Sequence, residues 1–372
     1  MSAKKRKSKH YDVLMVGAGL FNAVLAWRLV HIKKKKVLVI DRRPTIGGNC
    51  YTELRDGIHV HKYGAHIFHT SSERVWRFAK KFGKFNNFIN SPIAIDAYGL
   101  PWNLPFNMNT IGPMFGVSRP DDARRAIKGS LIASGIKPPY DNLESKAIAM
   151  VGEEIYYRLI KEYTEKQWGR PCTELSPDII GRLPIRFTYD NNYFNDKYQG
   201  IPVDGYTAWI EAMFEGADIE LGVDFLKDKE KWLGMADKVY YSGCVDEYFE
   251  YVFGPLDYRS LKFKEKVYRT DNYQGNAVFN YTSKRQDYTR SIEHRFFMDD
   301  CTAKNTIVSY EYPKKWKPGM EPYYPVNNEL NNGLYDRYRV LFPKNVVPVG
   351  RLGMYRYMDM DDTIEAALGI KL

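Results

Sequence analysis

Three features of the sequence predict an α/β fold built on a discontinuous Rossmann-like dinucleotide-binding domain. A strand, a glycine turn, a helix and a second strand follow one another between residues 11 and 41. A stretch with helical spacing of apolar residues interrupts the chain from about 100 to 182. Beyond residue 250, several runs alternate aromatic or β-branched residues with polar ones, as antiparallel strands do. The expected partition is 1–90, 200–250 and 330–372 for the dinucleotide-binding domain, 100–182 for a helical domain, and 183–199 with 251–329 for an antiparallel β-sheet domain.

Val13-Leu14-Met15-Val16 is a continuous apolar run, as expected of a parallel strand buried on both faces. In Gly17-Ala18-Gly19 the missing side chains let backbone amides approach a pyrophosphate. Residues 20–30 are apolar and favour helix, so a positive helix N-terminus faces that phosphate. A second strand, 37–40, ends in Asp41, about twenty residues beyond the glycines, where an acid binds a ribose hydroxyl. Asn22 replaces the third glycine of the GxGxxG pattern, which predicts a wider helix–strand approach or a local rearrangement. Arg42 and Arg43, then Gly47-Gly48-Asn49, read as a second loop under the same diphosphate and point to FAD rather than to a nicotinamide dehydrogenase. The bland alternatives are a chance glycine turn at the first place and a simple turn at the second.

At 372 residues the chain can hold two or three domains and a large core. Hydrophobic residues at 44% and charged residues at 27% are ordinary globular usage, while 29 tyrosines suit surfaces that combine stacking with hydrogen bonding. No run of eighteen apolar residues predicts a spanning helix, and the N-terminus lacks the apolar core of a secretory signal; a cytoplasmic location is expected. The formal charge is +10, half of it from Lys4, Lys5, Arg6, Lys7 and Lys9. That tail reads as a solvated segment, with nuclear import or nucleic-acid binding the lesser alternative, and 33–36 as a solvent-facing lysine loop. The remaining positive excess suits an anionic substrate better than a duplex. Cys50, Cys172, Cys244 and Cys301 are far apart and form no CxxC, the pattern of a reducing compartment.

Residues 57–70 read as a strand from Ile58 followed by a glycine-punctuated loop, and carry His59, His61, His66 and His69. A metal site would lack a second cluster of acids or cysteines, so none is expected. His66 reads better as part of a loop against a flavin, tuning its electronics, with a satisfied strand-edge histidine as the plain alternative. A helix is expected over 71–82, capped by Ser71 or Ser72, a hairpin or loop over 93–100, a helix start near Asn109, and helices over 121–134 and 142–160. Tyr163-Thr164-Glu165-Lys166-Gln167-Trp168-Gly169 precedes Arg170-Pro171 and is expected to start a loop. Its aromatic ends suit a gate over a planar ligand, though Tyr163 and Trp168 fit a core equally well. Pro184 predicts an extended run over 182–187, and 191–202 presents aromatic and amide groups. Then come a helix over 205–214, a strand over 237–243 returning to the first sheet, and strands over 258–268, 276–282, 288–297 and 306–312. Near the C-terminus a strand ends in Gly350-Arg351, and a helix begins near Asp359 whose N-terminus favours negative charge on the flavin ring.

GAGLF (17–21), IGGNCY (46–51), YGAHIFHT (63–70), YTEKQWG (163–169), GRLPIRF (181–187), YFNDKYQGIP (193–202), FNYT (279–282), TRSIEHRFF (289–297), EPYYPVNN (321–328) and GRLGMYRYMDMDDTI (350–364) together resemble the UDP-galactopyranose mutase family, of its shorter prokaryotic type, in order along nearly the whole chain. The resemblance implies FAD on the Rossmann-like domain, a helical domain with a mobile substrate loop, a six-stranded antiparallel sheet, and commonly a homodimer. It implies an isomerase that interconverts UDP-galactopyranose and UDP-galactofuranose with no net electron transfer. The reduced flavin forms a covalent adduct with the anomeric carbon while UDP is away. Arg182 and Arg290 match the two arginines that hold the departing diphosphate, a task suited to planar guanidinium forks. Tyr163, Thr164, Trp168, Tyr193 and Asn280 match positions around the uridine or its closing loop, and Tyr324 and Tyr357 match tyrosines on the phosphates. Gly17, Gly19, Asp41, Gly48, Asn49, Arg351 and Asp359 match FAD-contacting positions, and His66 the histidine beside the flavin. Asn22, Ala65 where proline is frequent, and Leu159 near a phenylalanine that packs on uracil depart from the pattern.

An FAD-dependent oxidoreductase of the amine oxidase or desaturase type shares the first domain and is the rival reading; the paired arginines and polar tyrosines argue against its apolar tunnel. A basic nucleic-acid-binding protein is the non-enzymatic rival, and its signal is confined to the tail.

Overall fold

The computed structural model describes residues 10–372, the side chain of Arg182 excepted. The basic tail therefore lies outside the described residues. Five parallel strands form the first sheet, in spatial order Val346–Pro348, Ala236–Tyr241, Tyr11–Val16, Val37–Asp41 and Asp218–Leu221. Their apolar runs are buried on both faces: Leu14, Met15 and Val37 to Ile40 are all sequestered. Helices Leu20–Trp27, Gly205–Met213 and Met360–Gly369 cover one face. Phe225, Trp232 and Tyr248 cover the other. The chain leaves and re-enters this sheet twice, so the dinucleotide-binding unit is discontinuous in sequence.

The second sheet has seven strands, in the order Tyr324–Pro325, Tyr258–Tyr268, Thr306–Lys315, Arg290–Glu293, Val278–Tyr281, Ile93–Ile95 and Pro101–Asn103. It is antiparallel except where Val278–Tyr281 meets Ile93–Ile95 in parallel. The six strands implied by resemblance are thus exceeded. The hairpin 93–103 supplies two of the seven, and its second strand falls inside the stretch assigned to the helical domain. Each of its strands is three residues long, too short for alternation to declare itself. Asp96 builds its turn: Oδ1 accepts from the amides of Tyr98 and Leu100 at 2.8 and 2.9 Å, and Oδ2 from Trp102 Nε1 and Arg158 Nε at 2.9 and 2.7 Å.

The helical unit contains Met108–Phe115, Pro120–Ser134 and Leu143–Val151. The single helix expected over 142–160 is broken at Gly152, whose φ of +83° stops the first segment, and resumes as Glu153–Ile155 and a π-helical turn, Tyr156–Ile160. The stretch expected to start a loop is instead the helix Lys161–Trp168, closed by Gly169 at φ +67°. Its apolar positions are sparse, so periodicity hides it; contacts with the second sheet hold it. Residues 183–197 carry no strand of the second sheet; Leu183, Ile185 and Phe187 pack on the helical core instead. Tyr198–Gly200 pairs with Phe68–Thr70.

Candidate active site

One cavity of about 1440 Å³ runs from the glycine turn to the helix Lys161–Trp168. Pockets for one small ligand commonly span about 300–1,000 Å³, so this hollow has room for two.

At its dinucleotide end the two glycine loops touch. Gly47 N donates to Ala18 O at 2.9 Å. A Cβ on Gly48, at φ +57°, would lie 3.1 Å from Gly19 Cα, and one on Gly17, at φ +104°, would lie 2.1 Å from Ser242 Oγ. Only glycine permits these approaches. Asp41 locks the pair of loops, accepting from Ala18 N at 2.7 Å and Arg43 N at 2.8 Å. Asn22 does not spread the helix from the strand by idle bulk. Its Nδ2 donates to the carbonyls of Val16 and Gly17 at 3.1 and 2.8 Å, stitching the turn to the helix it opens. Arg43 Nη2 donates to Asn49 Oδ1 at 2.9 Å and pairs with Glu321 at 2.5 Å, while the guanidinium lies 4.2 Å from the Tyr63 ring. Asn22 Oδ1 and Arg43 Nη1 are buried and find no partner among the described residues, and both side chains belong to residues lining the cavity. Gly19, the N-cap of Leu20–Trp27, brings no side chain to the first helical amides. Open amides, unmet polar atoms and a side-chain-free floor fit a dinucleotide. Arg351, in the short helix Gly350–Gly353, and Asp359, which caps Met360–Gly369 in a capping box with Asp362, also line the cavity.

His66 stands in the middle wall. Its Nδ1 lies 2.8 Å from Gly64 O, an acceptor only, so Nδ1 carries the proton and Nε2 offers a lone pair. Its amide donates to His61 Nδ1 at 3.2 Å, the His61 amide donates to His294 Nδ1 at 3.2 Å, and His294 Nε2 donates to Ser309 Oγ at 2.7 Å. These bonds set three neutral tautomers in series. Burial pushes the His66 pKa down to about 4 and that of His294 to about 3, and holds His61 well below the usual imidazole range.

At the other end, Arg290 Nε donates to Tyr163 OH and to Asn280 Oδ1, both at 3.2 Å. Glu311 stands 3.9 Å from Arg290 Nη1. The Tyr163 hydroxyl, and then Glu311, hold the guanidinium's pKa well above its ordinary value. Tyr324 and Tyr357 lie with ring centroids 6.0 Å apart, and the Arg351 guanidinium is 5.7 Å from the Tyr324 ring. Burial raises the Tyr324 pKa, so its hydroxyl keeps its proton. Tyr193 hangs on a loop secured by Arg186, which donates to Tyr193 O at 3.1 Å and Asn195 Oδ1 at 2.5 Å.

Gly17, Gly19, Asp41, Gly48, Asn49, His66, Tyr163, Thr164, Trp168, Tyr193, Asn280, Arg290, Tyr324, Arg351, Tyr357 and Asp359 therefore share one cavity. Arg182 ends the 3-10 turn Pro177–Arg182, and its side chain lies outside the description. Leu159 and Ala65, two departures from the expected pattern, also face this cavity. Sequence reasoning passed over Arg259, which donates to Gln167 O and lines the cavity, and Glu311 behind Arg290. Both sit on strands recognised only as alternating, where inward polar residues carry no mark of their own.

A dinucleotide cradle opening directly onto an arginine–tyrosine pocket is the arrangement of a Rossmann-type, cofactor-using enzyme. A family model described as an NAD(P)-binding Rossmann-like domain matches residues 15–82, and one described as UDP-galactopyranose mutase matches 158–357. The chain is 39% identical over 365 residues to a probable UDP-galactopyranose mutase of Klebsiella pneumoniae, covering 96% of this chain and 93% of that protein. It is 36% identical over 368 residues to a dTDP-fucopyranose mutase of Escherichia coli, covering 96% of each. Among solved structures, reduced UDP-galactopyranose mutase matches with a TM-score of 0.69 at 14% identity, over 96% of this chain and 94% of that one. The chain belongs to the UDP-galactopyranose mutase family.

Proposed function

We propose that this protein interconverts UDP-galactopyranose and UDP-galactofuranose, using FAD in its reduced state. The observation that carries the reading is the Arg290–Tyr163–Asn280 network, set in the same hollow as the glycine cradle. A reduced flavin bound there supplies an electron-rich nucleophile for covalent catalysis at the anomeric carbon, and the protein does the rest. Gly17, Gly19, Gly48 and the opening amides of Leu20–Trp27 hold the cofactor's diphosphate, with Asp41, Asn49, Arg351 and Asp359 around it. Arg290, with Arg182 as the second arginine matching the family pattern, retains the UDP diphosphate while the sugar is detached. Tyr324 and Tyr357 donate to the phosphates. Tyr163, Thr164, Trp168, Tyr193 and Asn280 embrace the uridine. His66, neutral and with Nε2 free of its proton, accepts a hydrogen bond at the cofactor–sugar boundary.

The same reading includes a homodimer and a cytoplasmic location; among the described residues no helix is long and apolar enough to cross a membrane. The test is to reduce the flavin-loaded protein with dithionite, add UDP-galactofuranose and resolve the nucleotide sugars by chromatography. UDP-galactopyranose is expected only from the reduced protein. Oxidant consumption with no isomerisation would instead make it an oxidoreductase. The likeness to a dTDP-fucopyranose mutase makes dTDP-fucopyranose the comparison substrate.

A further inference from the structure

Lys166 lies on the helix Lys161–Trp168, three residues after Tyr163, on the same helical face. Its ammonium is bonded to main-chain oxygens rather than to a carboxylate, although the residue also lines the cavity. Nζ donates into four backbone carbonyls: Tyr281 and Ser283 at 2.7 Å, Tyr288 at 3.0 Å and Gln286 at 3.2 Å. These four carbonyls belong to the turn joining Val278–Tyr281 to Arg290–Glu293. Asn280 precedes the first by one residue, and Arg290 follows the last by two.

A single charged group thus gathers both ends of the turn whose two legs carry Asn280 and Arg290. Three residues away on its own helix, the Tyr163 hydroxyl receives the Arg290 Nε proton at 3.2 Å. Two further contacts join the same helix to the same turn. The Lys284 amide donates to Glu162 at 2.7 Å, and the Lys284 ammonium pairs with Glu165 at 2.5 Å. That ion pair is half exposed at its lysine and contributes little. Lys166 is half-buried, and its bonds are charge-assisted. Desolvation lowers its pKa to about 8, with Glu162 and Asp287 opposing the shift, so the ammonium is charged at neutral pH.

We propose that Lys166 is a positioning residue for the reaction, its ammonium fixing the spacing between Tyr163 on the helix and the Asn280–Arg290 pair on the hairpin. Lys166 itself need not touch the substrate. It holds Tyr163 on the helix and Arg290 on the hairpin at one separation, the separation at which Arg290 reaches Tyr163. This rests on the reading of the cavity as a UDP-sugar site.

The test uses the flavin-loaded protein and its Lys166→Met and Lys166→Gln variants, with Lys284→Ala as the control for a surface ion pair. Wild-type binding of UDP by calorimetry and wild-type isomerisation come first; if these fail, the functional reading fails whatever Lys166 does. Given a working wild type, both Lys166 variants are expected to keep the flavin spectrum and stoichiometry. Their UDP Kd and their KM for the UDP-sugar should rise about tenfold or more, as loss of hydrogen bonds from a charged group predicts. Lys284→Ala should stay within about twofold of wild type. The proposal is overturned if both Lys166 variants bind UDP within about twofold of wild type. It is also overturned if they lose flavin or fail to fold, because the lysine then holds the fold rather than the pocket.

Discussion

Acid should loosen this protein before its paired carboxylates titrate. His61, His66 and His294 are held neutral in the fold, the last two with pKa values of about 4 and about 3 against an ordinary 6.5. The unfolded chain therefore binds more protons than the folded one as pH falls below 6.5, and unfolding free energy decreases through that window. At pH 5 the gap to 6.5 is about 1.5 units, and at 1.36 kcal/mol per unit His66 and His294 each forfeit ~2 kcal/mol. Together they forfeit ~4 kcal/mol, with His61 acting in the same direction, a sizeable part of the ~5–15 kcal/mol total of a typical fold. Asp96 and Glu265, whose pKa values are lowered, remain ionised at that pH. Urea unfolding of the flavin-loaded protein, followed by tryptophan fluorescence between about pH 7.5 and pH 5, reads the slope. A His294→Asn variant should start less stable and lose one proton from that slope, ~1.4 kcal/mol per pH unit. Equal stability at both ends of the range, or an unaltered slope in the variant, would refute the assignment of buried neutral histidines.

Other expectations follow from single contacts. Asp96→Ala leaves Arg158, Trp102 and two amides without their acceptor and should cost ~3–5 kcal/mol in chemical denaturation. Gly48→Ala places a Cβ 3.1 Å from Gly19 Cα at a positive φ; FAD affinity should fall by about tenfold or more in a flavin fluorescence titration, with the fold retained. Arg290→Ala removes the guanidinium shared by Tyr163 and Asn280 and should lower kcat by about 10²–10³-fold. Arg182→Ala should slow turnover strongly as well, and unimpaired turnover there would reject its place in the pocket.

The parallel sheet was the most legible part of the fold, because strands buried on both faces must be apolar without interruption, and 13–16 and 37–40 are. The cradle was legible for a related reason: a backbone that must come close to a phosphate has few residues to choose from. Asn22 was legible as a departure but not in its effect, since an amide reaching two carbonyls leaves no periodic trace. The helix Lys161–Trp168 was missed because its apolar positions are sparse and its support is tertiary, through Lys166 and the neighbouring hairpin. The hairpin or loop expected over 93–100 is a hairpin, but its second strand, Pro101–Asn103, and its place in the second sheet were not legible in strands so short. At the site, matching motifs named the residues, yet nothing in one dimension shows that Arg290 donates to Tyr163, 127 positions earlier. Arg259 and Glu311 gain meaning only through those who stand beside them.

Asp96 sits in the turn of the edge hairpin of the second sheet, and it also seizes Arg158, two residues before the end of the π-helical turn. That turn runs straight into the helix bearing Tyr163. A helical unit that tilts on the sheet has to break this ion pair or turn about it, and the carbonyls gathered by Lys166 set the same condition on the neighbouring helix.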